Sequence, residues 1–95
     1  MYIVLLKFSN AKSQASEWMS AHAAWLQRGF DEGAFLLAGS LQPQLGGAII
    51  ALETSRAELD VRLHADPFVE HDVVRPEVFE WVPSKVDSRL SFLLA

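Results

Sequence analysis

The stretch Tyr2-Ile3-Val4-Leu5-Leu6-Lys7-Phe8 opens the chain with an apolar run in which Lys7 is the only charged residue. It is rich in β-branched and aromatic side chains, and it is far shorter than the ~20 apolar residues that a membrane span needs. Apolar character on successive residues is typical of a strand that is covered on both faces. We therefore predict a first strand at residues 2–8, in a sheet with apolar neighbours on both sides.

The segments that follow alternate between helical and strand-like patterns, judged by the spacing of apolar residues and by cap and turn residues. They are a helix over residues 13–31, strands over 34–40 and 48–53, a helix from Thr54 or Ser55 to about residue 65, a short turn of helix after Asp66, and a strand over 73–82. Pro76 predicts either an edge position or a bulge for the last strand. The order is β-α-β-β-α-β, which is typical of a ferredoxin-like α+β protomer: an antiparallel sheet with two helices on one face.

The free face of this sheet predicts a partner. A chain of 95 residues forms one domain with a thin core, and 51% of its residues are apolar. Because the helices cover only one face while the first strand is apolar on both, we expect a homodimer through the sheet faces, a dimeric α+β barrel. Residues 1–83 make up the domain, and residues 84–95 are an extension that packs on its own protomer or on the partner.

Composition excludes several classes of function. Eight basic and twelve acidic residues give a net charge of −4, and the basic residues are scattered, so we expect no nucleic-acid binding. The absence of cysteine excludes thiolate chemistry and fits a cytoplasmic protein, and no stretch predicts a signal peptide or a membrane span. His64, Asp66, His71 and Asp72 are poorly spaced for a metal, so we expect none.

His22 is the most informative polar residue. It falls within the apolar stripe of the first predicted helix, between Trp18 and Trp25, and therefore points toward the sheet. Such a histidine is either a core residue bonded to a neighbour or a general acid–base group in a cleft. Asp66 is its natural partner, and because it precedes Pro67 it also predicts a helix cap. The two roles are compatible, because one carboxylate oxygen can cap the helix while the other meets the imidazole.

Several short motifs, in this order, resemble the YCII-like family from the first strand to about Pro83. The motifs are His22-Ala23-Ala24-Trp25-Leu26, Leu37-Ala38-Gly39-Ser40, Gly46-Gly47 and Asp66-Pro67-Phe68. The resemblance implies a dimeric α/β barrel with an active site built on His22 and Asp66. Ser40 departs from the family pattern, which commonly has proline there, so the rim of the site is expected to differ.

Two functional hypotheses follow. In the first, the protein is a cofactor-independent lyase or isomerase in which His22, oriented by Asp66, moves a proton on a small cyclic or aromatic substrate. Ser40 beside Gly39 would meet a polar group of the substrate, and Phe68 and Trp18 would supply apolar walls. In the second, the same pair recognises a polar ligand group without chemistry in a non-catalytic small-molecule binder, or it is a buried structural bond in an accessory dimeric module.

Overall fold

The structure, a computed structural model, describes residues 1–52 and 54–94. Its elements in chain order are β1 (Tyr2–Phe8), α1 (Ala15–Asp31), β2 (Phe35–Leu41), β3 (Gly46–Ala51), α2 (Arg56–His64), α3 (Pro67–Glu70) and β4 (Val74–Glu80), with 3₁₀ segments at Lys12–Gln14 and Ser88–Leu94. The predicted β-α-β-β-α-β order and α+β class are confirmed. The helix predicted from residue 13 begins at Ala15, because Lys12–Gln14 form a tighter turn first. The predicted end of the third strand at Glu53 lies outside the described residues.

The described strands form one antiparallel sheet in the order β2-β3-β1-β4. The apolar strand β1 therefore lies inside the sheet, with Tyr2 between Ala51 of β3 and Glu80 of β4. β4 is at an edge, one of the two alternatives that Pro76 predicted, because proline has no N–H to donate to a strand on its outer side.

The two faces of the sheet differ in what covers them. Val4 and Leu6 of β1 point toward the helices and are buried. Ile3 and Leu5 alternate with them, point to the opposite side and remain partly exposed. The strand register places six apolar residues on this second side, which we call the free sheet face: Ile3, Leu5, Leu37, Ala48, Ile50 and Phe79.

The core lies between the helices and the covered face of the sheet. Trp25 of α1 is 2% exposed, and its Nε1–H donates to the Arg62 carbonyl of α2 at 2.9 Å, which ties the two helices together. Gly29, one turn later, lets α1 approach the sheet closely, because a Cβ there would overlap the Phe35 ring. This close approach fixes the height of α1 above β2, and with it the position of His22.

Cap residues start the two later helices where the sequence predicted. Ser55 and Glu58 form a capping box: the Glu58 N–H donates to Ser55 Oγ at 3.1 Å, and the Ser55 N–H donates to Glu58 Oε1 at 3.4 Å. Asp66 caps α3, and Pro67 occupies its first turn, where a missing N–H costs nothing. α3 thus begins at a position that aims the Asp66 side chain back toward α1.

The C-terminal extension lies beside the free sheet face of its own chain. Ser84 to Asp87 border, together with Leu37 and Ile50, a cleft of about 400 Å³. Phe92 and Leu94 are about half exposed. Within the described parts of the chain, no helix has both the length and the apolar character to cross a membrane.

Candidate active site

A cleft of about 380 Å³ opens between α1 and the covered face of the sheet. Met19, His22 and Leu26 line it from α1, while Gly39 and Ser40 line it from the end of β2. Gly46 and Gly47 of β3, Phe8 of β1 and Phe68 of α3 also line it. Apart from the imidazole of His22, no titratable side chain of the described residues lines this cleft, which we call the inner cleft.

His22 and Asp66 meet at one wall of the inner cleft. Nδ1 of His22 lies 2.8 Å from Oδ1 of Asp66, across 44 positions of sequence. The Asp66 side chain is fully buried, whereas that of His22 is 15% exposed. The Phe68 ring stacks nearly parallel to the imidazole, with centroids 4.1 Å apart, and fixes its plane. The contact predicted between His22 and Asp66 is therefore present.

Asp66 combines the two roles on one oxygen instead of dividing them between its two oxygens. Oδ1 accepts the Phe68 N–H at 3.0 Å and also meets the His22 ring. Phe68 supplies this amide while its ring stacks on the imidazole, so both donors approach the same side of the carboxylate. Oδ2 is buried and has no hydrogen-bond partner among the described residues.

This arrangement determines which nitrogen of His22 is free. An ionised carboxylate only accepts hydrogen bonds, so Nδ1 of the neutral imidazole must carry the hydrogen and donate it to Asp66. Nε2 then holds a lone pair, makes no hydrogen bond to the described residues and is the ring atom available to a molecule in the inner cleft. A histidine in this tautomer, backed by a buried carboxylate, can take up a proton at Nε2 and return it.

The structure brings together all but one of the residues predicted for the site. Gly39, Ser40 and Phe68 line the inner cleft with His22. Trp18 does not line it: its ring stacks on His71, with centroids 3.6 Å apart and planes 6° from parallel. Trp18 lies one helical turn before His22, on the side of α1 that faces the end of α3, and so it is directed away from the cleft.

Met19, Ala23 and Leu26 belong to the cleft wall, and sequence reasoning did not assign them to the site. Together with His22 they follow the i, i+3, i+4, i+7 rule and form one narrow stripe of α1. Trp25 and Gly29 form the neighbouring stripe, which is buried in the core. The spacing of the cleft residues was therefore visible in the sequence. It could not be separated from the core stripe, because the two stripes are adjacent and look like one broad apolar face.

The other histidines and Asp72 have separate local roles. His64 donates from Nδ1 to the Asp60 carbonyl at 2.7 Å, and His71 stacks on Trp18. The Ser9 hydroxyl donates to Asp72 at 2.8 Å and, with a smaller contribution from Arg75, lowers the pKa of that carboxyl against the opposing effect of desolvation. In residues 1–52 and 54–94, no three histidine, aspartate or glutamate side chains are grouped so that they could hold a metal ion.

The fold and the site define a class: a ferredoxin-like α+β protein with a His–Asp pair at the wall of an apolar cleft. The family model of the YCII-related domain matches residues 1–82, and the chain belongs to this family. Among solved structures it is similar to 5-chloro-2-hydroxyhydroquinone dehydrochlorinase from Burkholderia phenoliruptrix AC1100, in complex with 2,5-dihydroxybenzoquinone. The TM-score is 0.69 at 16% sequence identity, over 85% of this chain and 93% of the other, a likeness that shows the fold. Comparison with curated proteins gave no match.

Proposed function

We propose that this protein is a cofactor-independent enzyme of the lyase or isomerase type, in which His22 and Asp66 carry out proton transfer on a small organic substrate with a cyclic or aromatic ring. The observation that carries the proposal is the 2.8 Å contact between the His22 imidazole and a fully buried carboxylate, at the wall of a cleft of about 380 Å³. A volume of this size is within the usual range for small-molecule sites.

The proposed reaction begins when Nε2 of His22 takes a proton from a C–H or O–H group of the substrate. The imidazolium that forms is stabilised by the Asp66 carboxylate, which accepts the Nδ1–H throughout. In an isomerase, Nε2 then returns the proton to another atom of the substrate. In a lyase, the electron pair left on the substrate forms a new double bond as the leaving group departs, and Nε2 gives its proton to the leaving group or to water. The apolar walls strengthen the attraction between imidazolium and carboxylate, because little water screens it.

The walls of the inner cleft suit an uncharged, flat ring as the part of the substrate that enters it. Phe68, stacked on the imidazole, and Leu26 present apolar surface to the cleft. The Ser40 hydroxyl makes no hydrogen bond to the described residues and is free to meet a polar group on the ring. The similar dehydrochlorinase is described with a dihydroxybenzoquinone, and this supports a ring compound as ligand of the related cleft here.

Turnover of a panel of hydroxylated aromatics tests the proposal, with 5-chloro-2-hydroxyhydroquinone as the first member. We expect at least one member to lose its leaving group, measured as chloride release, or to exchange a carbon-bound hydrogen with deuterium oxide, measured by mass spectrometry. Saturable binding with neither product nor exchange would instead favour the second candidate, a non-catalytic binder. The cap that Asp66 supplies to α3 favours the other form of the second hypothesis, an accessory module in which the bond to His22 serves structure alone.

The free sheet face supports the further proposal of a homodimer. Leu37 and Phe79 are 56% and 51% exposed there, beside the half-buried Ile3 and Ile50. Apolar residues that are contiguous on a sheet face are typical of a surface that packs on a second sheet about 10 Å away. Pairing two copies by a two-fold axis would bury both faces at once.

Phe79→Glu is expected to convert the proposed dimer into a monomer, seen as a halved mass in size-exclusion chromatography with light scattering. The two-fold axis would bury two unpaired carboxylates per dimer, so the dissociation constant should rise roughly a hundredfold or more. Val61→Glu is the matched control: Val61 is 72% exposed on α2 and away from the sheet. A Phe79→Glu protein that remains dimeric would contradict the proposed interface.

A further inference from the structure

A second cleft of about 340 Å³ adjoins the inner cleft. The two share Phe8, Ser40 and Gly46 as lining residues. The second cleft, which we call the outer cleft, extends past the end of β2. Gln42 and Gln44 line it from the turn that follows β2, and Lys12 lines it from the 3₁₀ turn before α1. Ser40 therefore stands at the junction of two spaces, and a ligand longer than one ring can occupy both.

The outer cleft differs from the inner cleft in charge. Lys12 lines it with an ammonium group held 4.7 Å from the centroid of the Phe8 ring, which is within cation–π distance. Over the described residues, no carboxylate lies within salt-bridge distance of Lys12. Among the residues that the structure describes, no aspartate or glutamate lines either cleft. A positive charge without a protein counterion, beside an apolar pocket, favours an anionic ligand group.

The side chains around Lys12 suit the same ligand group. Gln42 and Gln44 each carry an amide N–H₂ group that can donate to an anion, and both are exposed in the turn. The Ser40 hydroxyl at the junction is a further donor. All polar groups that line the outer cleft can therefore donate hydrogen bonds, and its one charged group is positive.

We propose that the substrate has two parts: an uncharged ring that enters the inner cleft and meets His22, and an anionic group, joined by a short spacer, that binds at Lys12 in the outer cleft. This inference rests on the proposed function and names its substrate class. Lys12 is then a specificity-determining residue that binds the substrate at a distance from the reacting atoms. It contributes to substrate affinity and leaves the proton transfer at His22 unchanged.

A pair of ligands that differ only in this charge tests the inference: para-hydroxyphenylpropionate and its primary amide. Dissociation constants are measured by calorimetry for the full chain and for Lys12→Met. We expect the full chain to bind the acid about fivefold more tightly than the amide, which corresponds to one partly exposed ion pair. Lys12→Met should remove this preference and leave the affinity for the amide unchanged. Added salt should weaken binding of the acid alone.

Lys85→Met is the matched control, because it removes the same charge from a residue outside both clefts, and it should keep the preference for the acid. The inference is overturned if the full chain binds the acid no more tightly than the amide, which includes binding neither, or if Lys12→Met weakens both ligands equally. Failure of the proposed function has a different signature. In that case the preference for the acid persists and depends on Lys12, while no member of the aromatic panel is turned over or exchanges hydrogen.

Discussion

A His22→Gln protein is expected to fold as the parent does and to lose turnover by roughly a hundredfold to ten-thousandfold, the usual contribution of a general acid–base group. Glutamine can still donate to Asp66 and fill the space beside Phe68, but it cannot take up a proton. The loss should fall on kcat with little change in KM, since the apolar walls that bind the ring remain. Steady-state kinetics on the panel member with the highest turnover measures this, and circular dichroism checks the fold.

Asp66→Asn tests the second half of the same pair. The amide oxygen of asparagine can still accept the Phe68 N–H and cap α3, so the start of this helix should be kept. The negative charge that stabilises the imidazolium is lost, however, and kcat should fall by at least about a hundredfold. Asp72→Asn is the matched control, because Asp72 is a carboxylate near the other end of α3 that has no contact with His22.

The outcome that opposes the proposal is equally definite. If His22→Gln keeps the turnover of the parent protein, while His22→Ala, which removes the donor to Asp66, lowers the melting temperature, the bond between His22 and Asp66 is structural. Loss of a partner for a buried polar group costs about 1–3 kcal/mol, so such a stability change is measurable by thermal unfolding. The two roles are thus separated by which quantity moves, kcat or stability.

Gly46→Ala is expected to lower stability by about 3 kcal/mol or more, which is a large fraction of the 5–15 kcal/mol typical of a small domain. Gly46 has φ of +127°, a backbone conformation that residues with a side chain rarely adopt, and a Cβ there would overlap the Leu6 carbonyl oxygen. The strain cannot be relieved by a rotamer change, because both obstacles are backbone features. The melting temperature should fall by roughly 10–20 °C, measured by calorimetry.

Gly39→Ala is the matched control for this effect. Gly39 also lines the inner cleft, but a Cβ at this position would have no atom within 4 Å. The free energy of unfolding of the Gly39→Ala protein should therefore stay within about 0.5 kcal/mol of that of the parent, as for a substitution that meets no neighbour. Equal losses for the two variants would mean that these glycines act through chain flexibility and not through the steric reason given.

Local signals in the sequence located most of the secondary structure. The apolar run of Tyr2–Phe8 gave the bounds of β1, since continuous β-branched and aromatic residues favour an extended chain. Ser55 with Glu58, and Asp66 with Pro67, located the starts of two helices, because a cap acts on amides two or three residues away. Pro76 indicated an edge strand or a bulge, because it lacks one N–H, and the structure places β4 at the edge.

The sequence also singled out His22 and Asp66, but it could not specify their contact. Two residues 44 positions apart meet only if α1 and α3 pack at one particular height and angle. That height depends on the contact of Gly29 with the Phe35 ring, which no local pattern records. The use of a single Asp66 oxygen by both donors likewise follows from the way in which Phe68 packs on the imidazole.

The sequence by itself determined the order of the elements, their caps and the polar residue that faces inward from α1, because these depend on neighbours within a few positions of the chain. Only the tertiary structure decided that α1 presents two stripes, with Trp25 and Gly29 in the core and Met19, His22 and Leu26 on a cleft. Helical periodicity gives the direction of a side chain but not what it meets. Whether it meets packed atoms or open space depends on how closely the distant segments of the chain approach one another.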